Sequence, residues 1–555
     1  MRLPFFFLAL LFSFLVAFAQ PKGVKGAYPS VASVVTYKDG LLKADGTAVF
    51  VSGNGDIIAS RNLFAGADSA VVIDNNGKPH TVRNIVGVDN MFDCVKVRVA
   101  PYKKMKSITP SATKVSVGDE LYMLTYGVMK NVMVEPFKVL AVDSAYSLPY
   151  YTLDHPVPER CMAYPLLNAA GELVALMQPS SASDTVNSYA VGSLLSQSLV
   201  STAKNYGKGF YSGMNIRTAM PDVQADALSC MYMQTMIGDS ISWIATIDDY
   251  ISAYPESYEG YQSRAEYVAI YYRDMLQAEK EWEKALALAE NKAEAYFGKG
   301  KVLNAIVQSG DTLSHSMLTF ENALAQVDKA ISISNSSLYV SYKADMLYGR
   351  QRYADAAVCY ESLFDTDMRS ADLFAKASQC NVLMENNGRA IELLDSAVLF
   401  FNNGSKEQAP YILTRAVVKS AAKRYREAVV DMNRYETMVG GVLSADFYYM
   451  REQAELNCKM YQQALNDIET AMDLAPDNLL YYLEKGMLCY RVKLTDEGIR
   501  TMEKVRELAP GIADVHYLLG RLYMQKGNIA EARSALEAAV GLGHEDARVQ
   551  LESLK

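Results

Sequence analysis

At 555 residues the chain is too long for one hydrophobic core, and at about 150 residues per domain it holds roughly three to four units unless internal repeats absorb the length. Half of the residues are hydrophobic and 21% are charged, the balance of a folded chain rather than a disordered or fibrous one. A net charge of -9 leaves no basic excess for neutralising phosphates, which sets nucleic acid aside as the main ligand.

The opening stretch, MRLPFFFLALLFSFLVAFAQ, puts one arginine ahead of an apolar run and ends in Ala17-Phe18-Ala19, the small-x-small pattern read by signal peptidase. Residues 1–19 are therefore read as a signal peptide, with Gln20 as the first mature residue. The alternative is an uncleaved membrane anchor, for which the run is near the short limit. No Cys follows the cleavage site, so a lipid anchor there is set aside. The Ala-Phe-Ala-Gln ending resembles export signals of Bacteroidetes. That resemblance implies an exported protein of a Gram-negative periplasm, meeting membranes only indirectly through a complex.

From Tyr28 to about Val200, short β-branched runs (SVASVVTY, TAVFVS, DIIAS, AVVID, VKVRV, ELYMLTY, ELVALMQ) alternate with Gly, Asp, Asn and Pro. This predicts an all-β sandwich or barrel over residues 20–205. Gly53-Asn54-Gly55, between two of the runs, supplies positions for the positive φ of a tight hairpin. The stretch STAKNYGKGFYSG opens a segment read as linker and lead-in helices, 206–240.

Beyond it the period changes to apolar residues three and four apart, the mark of amphipathic helices. Gly486 and Gly520 are 34 residues apart, Ala464, Gly498 and Ala532 fall at 34-residue steps, and so do Pro476 and Pro510. In the last unit Leu519, Gly520, Tyr523, Ala532, Leu536 and Ala539 alternate small and large residues, letting two helices cross closely with a large side chain filling the gap. Weaker units marked by Ala278, Ala323, Ala356, Ala390 and Ala428 bring the count to about eight over 241–555. The stretch VQSGDTLSHSM is read as an insertion between two helices of one unit. The 34-residue period resembles the tetratricopeptide repeat, implying an all-α superhelix that binds a protein or peptide on its concave face. On that resemblance the candidate partner-binding residues are Tyr449, Gln453, Leu483, Met487, Tyr490, Tyr517 and Arg521. For each, packing against a neighbouring helix is the competing role.

Three segments of the β-rich half, GTAVFVSGNGDIIASRNLFAGADSAVVIDNNGK, VGVDNMFDCVKVRV and CMAYPLLNAAGELVALMQ, resemble in order and spacing the trypsin-like serine proteases of the HtrA type. The resemblance implies a double β-barrel and places the catalytic His, Asp and Ser at Asn62, Asp93 and Met162. Asn is no base near neutral pH, and a thioether cannot be deprotonated to a nucleophile. The oxyanion turn is altered as well, with Arg160 and Cys161 ahead of Met162 and Ala163-Tyr164 in place of Gly-Gly. Loss of nucleophile or base costs such an enzyme about a millionfold, so the implied domain is a pseudoprotease. The competing enzyme reading is a serine- or cysteine-type peptidase using a relocated nucleophile such as Cys161. The nearest histidine in sequence, His155, is flanked by prolines and reads as a loop residue.

The seven cysteines are scattered without a C-x-x-C pair, and most of them read as small buried hydrophobes; the five histidines are too dispersed for a metal site. Nucleotide-binding, zinc-protease and nucleophile-elbow motifs are absent from the sequence, so no metal or small-molecule cofactor is expected. Asp248-Asp249 is read as a pair of ordinary solvated charges. The leading expectation is an exported, non-catalytic scaffold or adaptor for a protein partner.

Overall fold

The computed structural model describes residues 20–103, 105–127, 131–180, 185–206, 213–237, 239–310 and 315–554. The expected signal peptide lies outside them, as do the central residues of the STAKNYGKGFYSG stretch. The chain divides into two compact units, Met1–Ala289 and Glu290–Lys555.

The β-branched runs of the first unit form two closed six-stranded antiparallel barrels. One comprises β1 (Val31–Lys38), β2 (Leu41–Phe50), β3 (Asp56–Ser60), β4 (Ser69–Ile73), β5 (Pro79–Asp89) and β6 (Cys94–Val99), in the order β1-β2-β3-β6-β5-β4. The other comprises β7 (Glu120–Thr125), β8 (Met133–Ala145), β9 (Leu148–Leu153), β10 (Pro165–Leu167), β11 (Leu173–Gln178) and β12 (Ser188–Gly192), in the order β10-β11-β12-β9-β8-β7. Closure leaves no unpaired sheet edge in either. Alternate residues fill each interior: Phe50, Ile57, Ile85 and Val97 in the first, and Leu121, Phe137, Leu153 and Leu166 in the second. A third cluster joins the barrels, with Val49, Ile58 and Cys94 meeting Leu124, Leu167 and Leu176. In the Gly53-Asn54-Gly55 turn it is Gly55 that takes the positive φ, 90°. A Cβ there would stand 2.2 Å from the Val99 carbonyl oxygen, so no other residue fits.

Residues 213–222 are laced onto the first barrel. Met214 enters its core, and Ile85 donates its N–H to the Arg217 carbonyl (2.9 Å) while accepting from Ala219 N–H (2.7 Å). Arg98 bridges Asp56 (2.6 Å) and Asp222 (2.9 Å). Helices Gln224–Ile237 and Ser240–Ala253 then pack as a pair around Trp243, Tyr250 and Tyr267. On the second of them Asp249 is not the solvated charge expected from the sequence. It pairs with Arg217 (2.6 Å) and accepts the Tyr206 hydroxyl proton (3.0 Å), and burial raises its pKa. The unit ends with Tyr258–Tyr267, a π-turn Val268–Tyr272, and Met275–Leu288.

Among the described residues the second unit holds seven helix pairs: Lys292–Gln308 with Phe320–Ile333, Ser337–Gly349 with Tyr353–Glu361, Ala371–Leu383 with Asn387–Leu399, Ala409–Ala421 with Tyr425–Val439, Ala445–Asn457 with Tyr461–Leu474, Leu479–Val492 with Thr495–Leu508, and Ala513–Lys526 with Ile529–Gly541, followed by Glu545–Glu552. The expected insertion separates Gln308 from Phe320. The glycines sit where the helices of a pair cross: a Cβ on Gly486 would come 2.6 Å from Met502 Cε, and one on Gly520 2.6 Å from Leu536 Cγ. No helix among the described residues is long and apolar enough to cross a membrane. Of the seven cysteines, all free, Cys94, Cys161, Cys230, Cys380 and Cys489 are buried, as expected.

In six of the seven pairs the turn is made by one left-handed residue: Gln351, Glu385, Lys423, Lys459 and Lys493 all have φ between 60° and 65°, and Gly527 has φ 89° in the last pair. A non-glycine residue costs about 1 kcal/mol in that conformation. Lys493→Gly is therefore expected to stabilise the array by roughly 0.5–1 kcal/mol, seen as a higher urea midpoint at unchanged slope. A lower midpoint would show that the lysine stem contributes more than its backbone strain costs.

Candidate functional site

Asn62, Asp93 and Met162, which the resemblance aligns with a catalytic triad, lie in loops beside the cluster that joins the barrels. Strand β3 ends at Ser60, whose hydroxyl oxygen accepts the Asn62 N–H (3.2 Å) and starts the 3-10 turn Arg61–Leu63. Asp93 stands just before β6 with φ 49°, and its carbonyl accepts Arg61 N–H (2.9 Å). Its carboxylate accepts the Ser60 hydroxyl proton (2.6 Å) and the Asn62 N–H (3.4 Å) and faces Arg61 Nε (3.4 Å). Burial outweighs these partners and raises its pKa. Asn62 and Asp93 are thus brought together, but through the Asn62 backbone; the Asn62 residue is exposed to solvent. Asp93 anchors the turn.

Met162 follows the 3-10 turn Glu159–Cys161 and packs, half-buried, against the cluster between the barrels. The backbone around it decides what chemistry is open. Cys161 N–H donates to Pro158 O (2.9 Å), Met162 N–H to Glu159 O (3.1 Å), Ala163 N–H to Met177 O (2.8 Å) and Tyr164 N–H to Cys161 O (3.1 Å). Four consecutive amides, Cys161 to Tyr164, are thus committed to carbonyls, that of Met162 among them. Ala163, with φ 61° and a buried side chain, holds the reversal that commits them.

Cys161 is 7% exposed and packs with Val157, Tyr164 and Leu166 in the second barrel's core. Burial raises its thiol pKa against the opposing Arg160, which keeps it a thiol rather than a thiolate. Arg160 itself is exposed. His155 stacks on Phe137 (4.0 Å between ring centroids), with its ring nitrogens within hydrogen-bond distance of Asp154 (2.9 Å) and Glu135 (3.2 Å). Two cavities of the first unit, about 430 Å³ beside Arg98 and Asp222 and about 480 Å³ beside Thr113, Pro149 and Gly192, are lined by none of Asn62, Asp93 and Met162.

In the second unit the partner-binding candidates separate into two groups. Arg521 lies 4.2 Å over the Tyr490 ring, donates to the Tyr490 hydroxyl (3.0 Å) and lies 5.7 Å from the Tyr517 ring centroid. Tyr517 stacks in turn on His544 (4.1 Å). Met487 is 51% exposed, and Leu483 is half-buried in the cluster that also includes Tyr490. The other group is Tyr449, tilted against Tyr481 (5.3 Å), and Gln453, which donates to Glu452 (2.8 Å). Tyr481, His544 and Glu452 escaped the sequence reading. Their spacing places them among structural positions, and only the stacking with neighbouring helices brings them to the candidates.

Residues 493–554 match the family model described as tetratricopeptide repeat. The human mitochondrial import receptor subunit TOM70 is 21% identical over 236 residues, 40% of this chain and 37% of its own length. The chain thus spans little more than a third of that relative. Among solved structures, the Rv3671c protease of M. tuberculosis in its active form covers 32% of this chain and 86% of its own at 18% identity, with a TM-score of 0.28. The serine endoprotease of Yersinia pestis gives 18% identity over 32% of this chain and 63% of its own, with a TM-score of 0.28. The HtrA-type protease AlgW gives 20% identity over 32% and 60%, again at 0.28. Two closed six-stranded barrels followed by paired helices are the architecture that the two sequence resemblances imply, and the tetratricopeptide model matches the last of those pairs.

Proposed function

We propose that the chain is an exported, non-catalytic scaffold that binds a polypeptide partner on the first helices of its repeats, with the double barrel as a second, non-hydrolytic binding module. The observation that carries the reading is the exposed Met487 next to the Arg521–Tyr490–Tyr517 stack, an apolar contact beside a guanidinium and two aromatic rings, on helices of a repeat family built for protein contacts. Similarity to a protein named as an import receptor subunit supports the same class of role. Asn62 at the base position, Met162 at the nucleophile position and four committed amides support the absence of turnover. Incubated with a labelled unstructured polypeptide, the intact protein is expected to retain it uncut. Time-dependent cleavage would sink the proposal.

Covalent labelling separates this reading from the peptidase alternative. Serine- and cysteine-directed covalent probes are expected to leave the folded protein unlabelled at Cys161, because its thiol is buried and protonated. Mass-spectrometric labelling there, abolished by Cys161→Ala, would favour the enzyme.

A further inference from the structure

Seven residues before each left-handed turn, the first helix of a pair carries the residue that lies against its partner helix. That residue is Ala344, Ser378, Ala416, Gly486 or Gly520 in five pairs, all buried and all small. In the pair Ala445–Asn457 with Tyr461–Leu474 it is Glu452, which is 0% exposed. One carboxylate oxygen of Glu452, Oε1, has no hydrogen-bond partner; the other, Oε2, accepts from Gln453 (2.8 Å). One helical turn on, Glu455 is 3% exposed, and its Oε2 is likewise without a partner.

The preceding pair shows a balanced version of the same arrangement. There Arg415 forks onto Asp431 (2.8 and 2.6 Å), and Lys419 supplies a second cation to the same carboxylate (2.8 Å). The equivalent residues here are Arg451, Asp467 and Glu455. Arg451 forks onto Asp467 (2.6 and 2.8 Å), but the lysine position holds Glu455, so an acid faces an acid. Arg451 has nothing to spare, being also bound to Glu436 (2.5 Å) and Asn433 (2.9 Å).

We propose that this helix pair is a proton-controlled joint in the array: Glu452 and Glu455 are packed in their neutral form, and losing those protons loosens the pair against its neighbours. The charged groups facing them are Arg451 on their own helix, Glu436 from Tyr425–Val439, Asp467 from Tyr461–Leu474, and Glu484 and Arg491 from Leu479–Val492. Burial pushes Glu452 up to about 7 and, with Asp467 adding to it, Glu455 up to about 8. An unfolded glutamate ionises near 4.5. The stabilisation is therefore complete below that pH, falls progressively as pH rises, and is gone once pH has passed through the range of about 7 to 8. Because each repeat touches only its neighbours, one loosened pair uncouples the helices on its two sides.

The test is backbone amide exchange on the intact protein, corrected for intrinsic rates. Between about pH 6 and about pH 9, protection over 445–474 is expected to fall at least about tenfold while that over 513–541 changes by less than about twofold. The fall should vanish in Glu452→Gln/Glu455→Gln, and Glu455→Lys, which rebuilds the preceding pair's arrangement, should exceed wild type at the higher pH. An equal fall in the double glutamine variant, or none in wild type, overturns the joint. Should the double variant fail to fold, infrared difference spectra of wild type still decide: a protonated-carboxyl band that bleaches over the same range supports the proposal, and its absence refutes it.

Discussion

Arg451→Met is expected to destabilise the helical array by about 3–5 kcal/mol, read as a lowered urea midpoint for loss of helix signal. Arg451 is 7% exposed; its guanidinium forks onto Asp467, which is 6% exposed, and reaches Glu436 and Asn433. It also lies 5.3 Å over the Phe447 ring and 5.6 Å over that of Tyr448. Methionine keeps much of the stem's volume, so the loss is electrostatic: Asp467 stays buried without its cation, beside Glu455. Removing one partner of a buried pair costs more than removing both. Arg451→Met/Asp467→Leu should thus recover most of the stability. A double variant as unstable as the sum of its singles would show that packing, not the charge pair, carries the effect.

The second large effect concerns binding. Truncating Tyr490, Tyr517 and Arg521 together to alanine is expected to weaken partner retention by the intact chain on the order of a hundredfold or more, since anchors of this type contribute about 2 kcal/mol or more each. The stability cost should be small by comparison, because all three are only half-buried. The cation–π contact at 4.2 Å means the three act as one unit, so Arg521→Ala alone should account for a large share of the loss. An unchanged partner profile in the triple variant, with its helix content intact, would leave these residues a packing role only.

Legibility in the sequence followed the strength of local signals. Strands β1, β2, β3, β4, β6, β7 and β11 were visible as β-branched runs, whereas β5, β8, β9, β10 and β12 were not. The hairpin joining β8 to β9 turns on Tyr146 and Ser147, at φ 51° and 65°, residues that carry no turn signal. Strand β10 is three residues long, too short to show a period. The helical repeats were legible because the crossing residues recur at a fixed step, while most of the within-pair turns rest on Lys, Gln and Glu rather than glycine and were silent. At the candidate site, only residue types, Asn62 and Met162 at the positions aligned with a base and a nucleophile, were legible. That the Met162 amide is tied back to Glu159 depends on a backbone path no side chain announces. Glu452 was hidden for a different reason: an isolated glutamate on a helix reads as a surface charge until the small residues at its equivalent positions are aligned in space.

The central claim is that a polypeptide partner is held, uncut, on the first helices of the repeats. Site-specific photo-crosslinking from the intact protein tests it most directly, with the reactive group placed at Met487 in one variant and at Asn62 in another. The account predicts an adduct of full-length partner at position 487 that disappears when Arg521→Ala is added. Adducts formed only at position 62, or joined to a shortened partner, would contradict it.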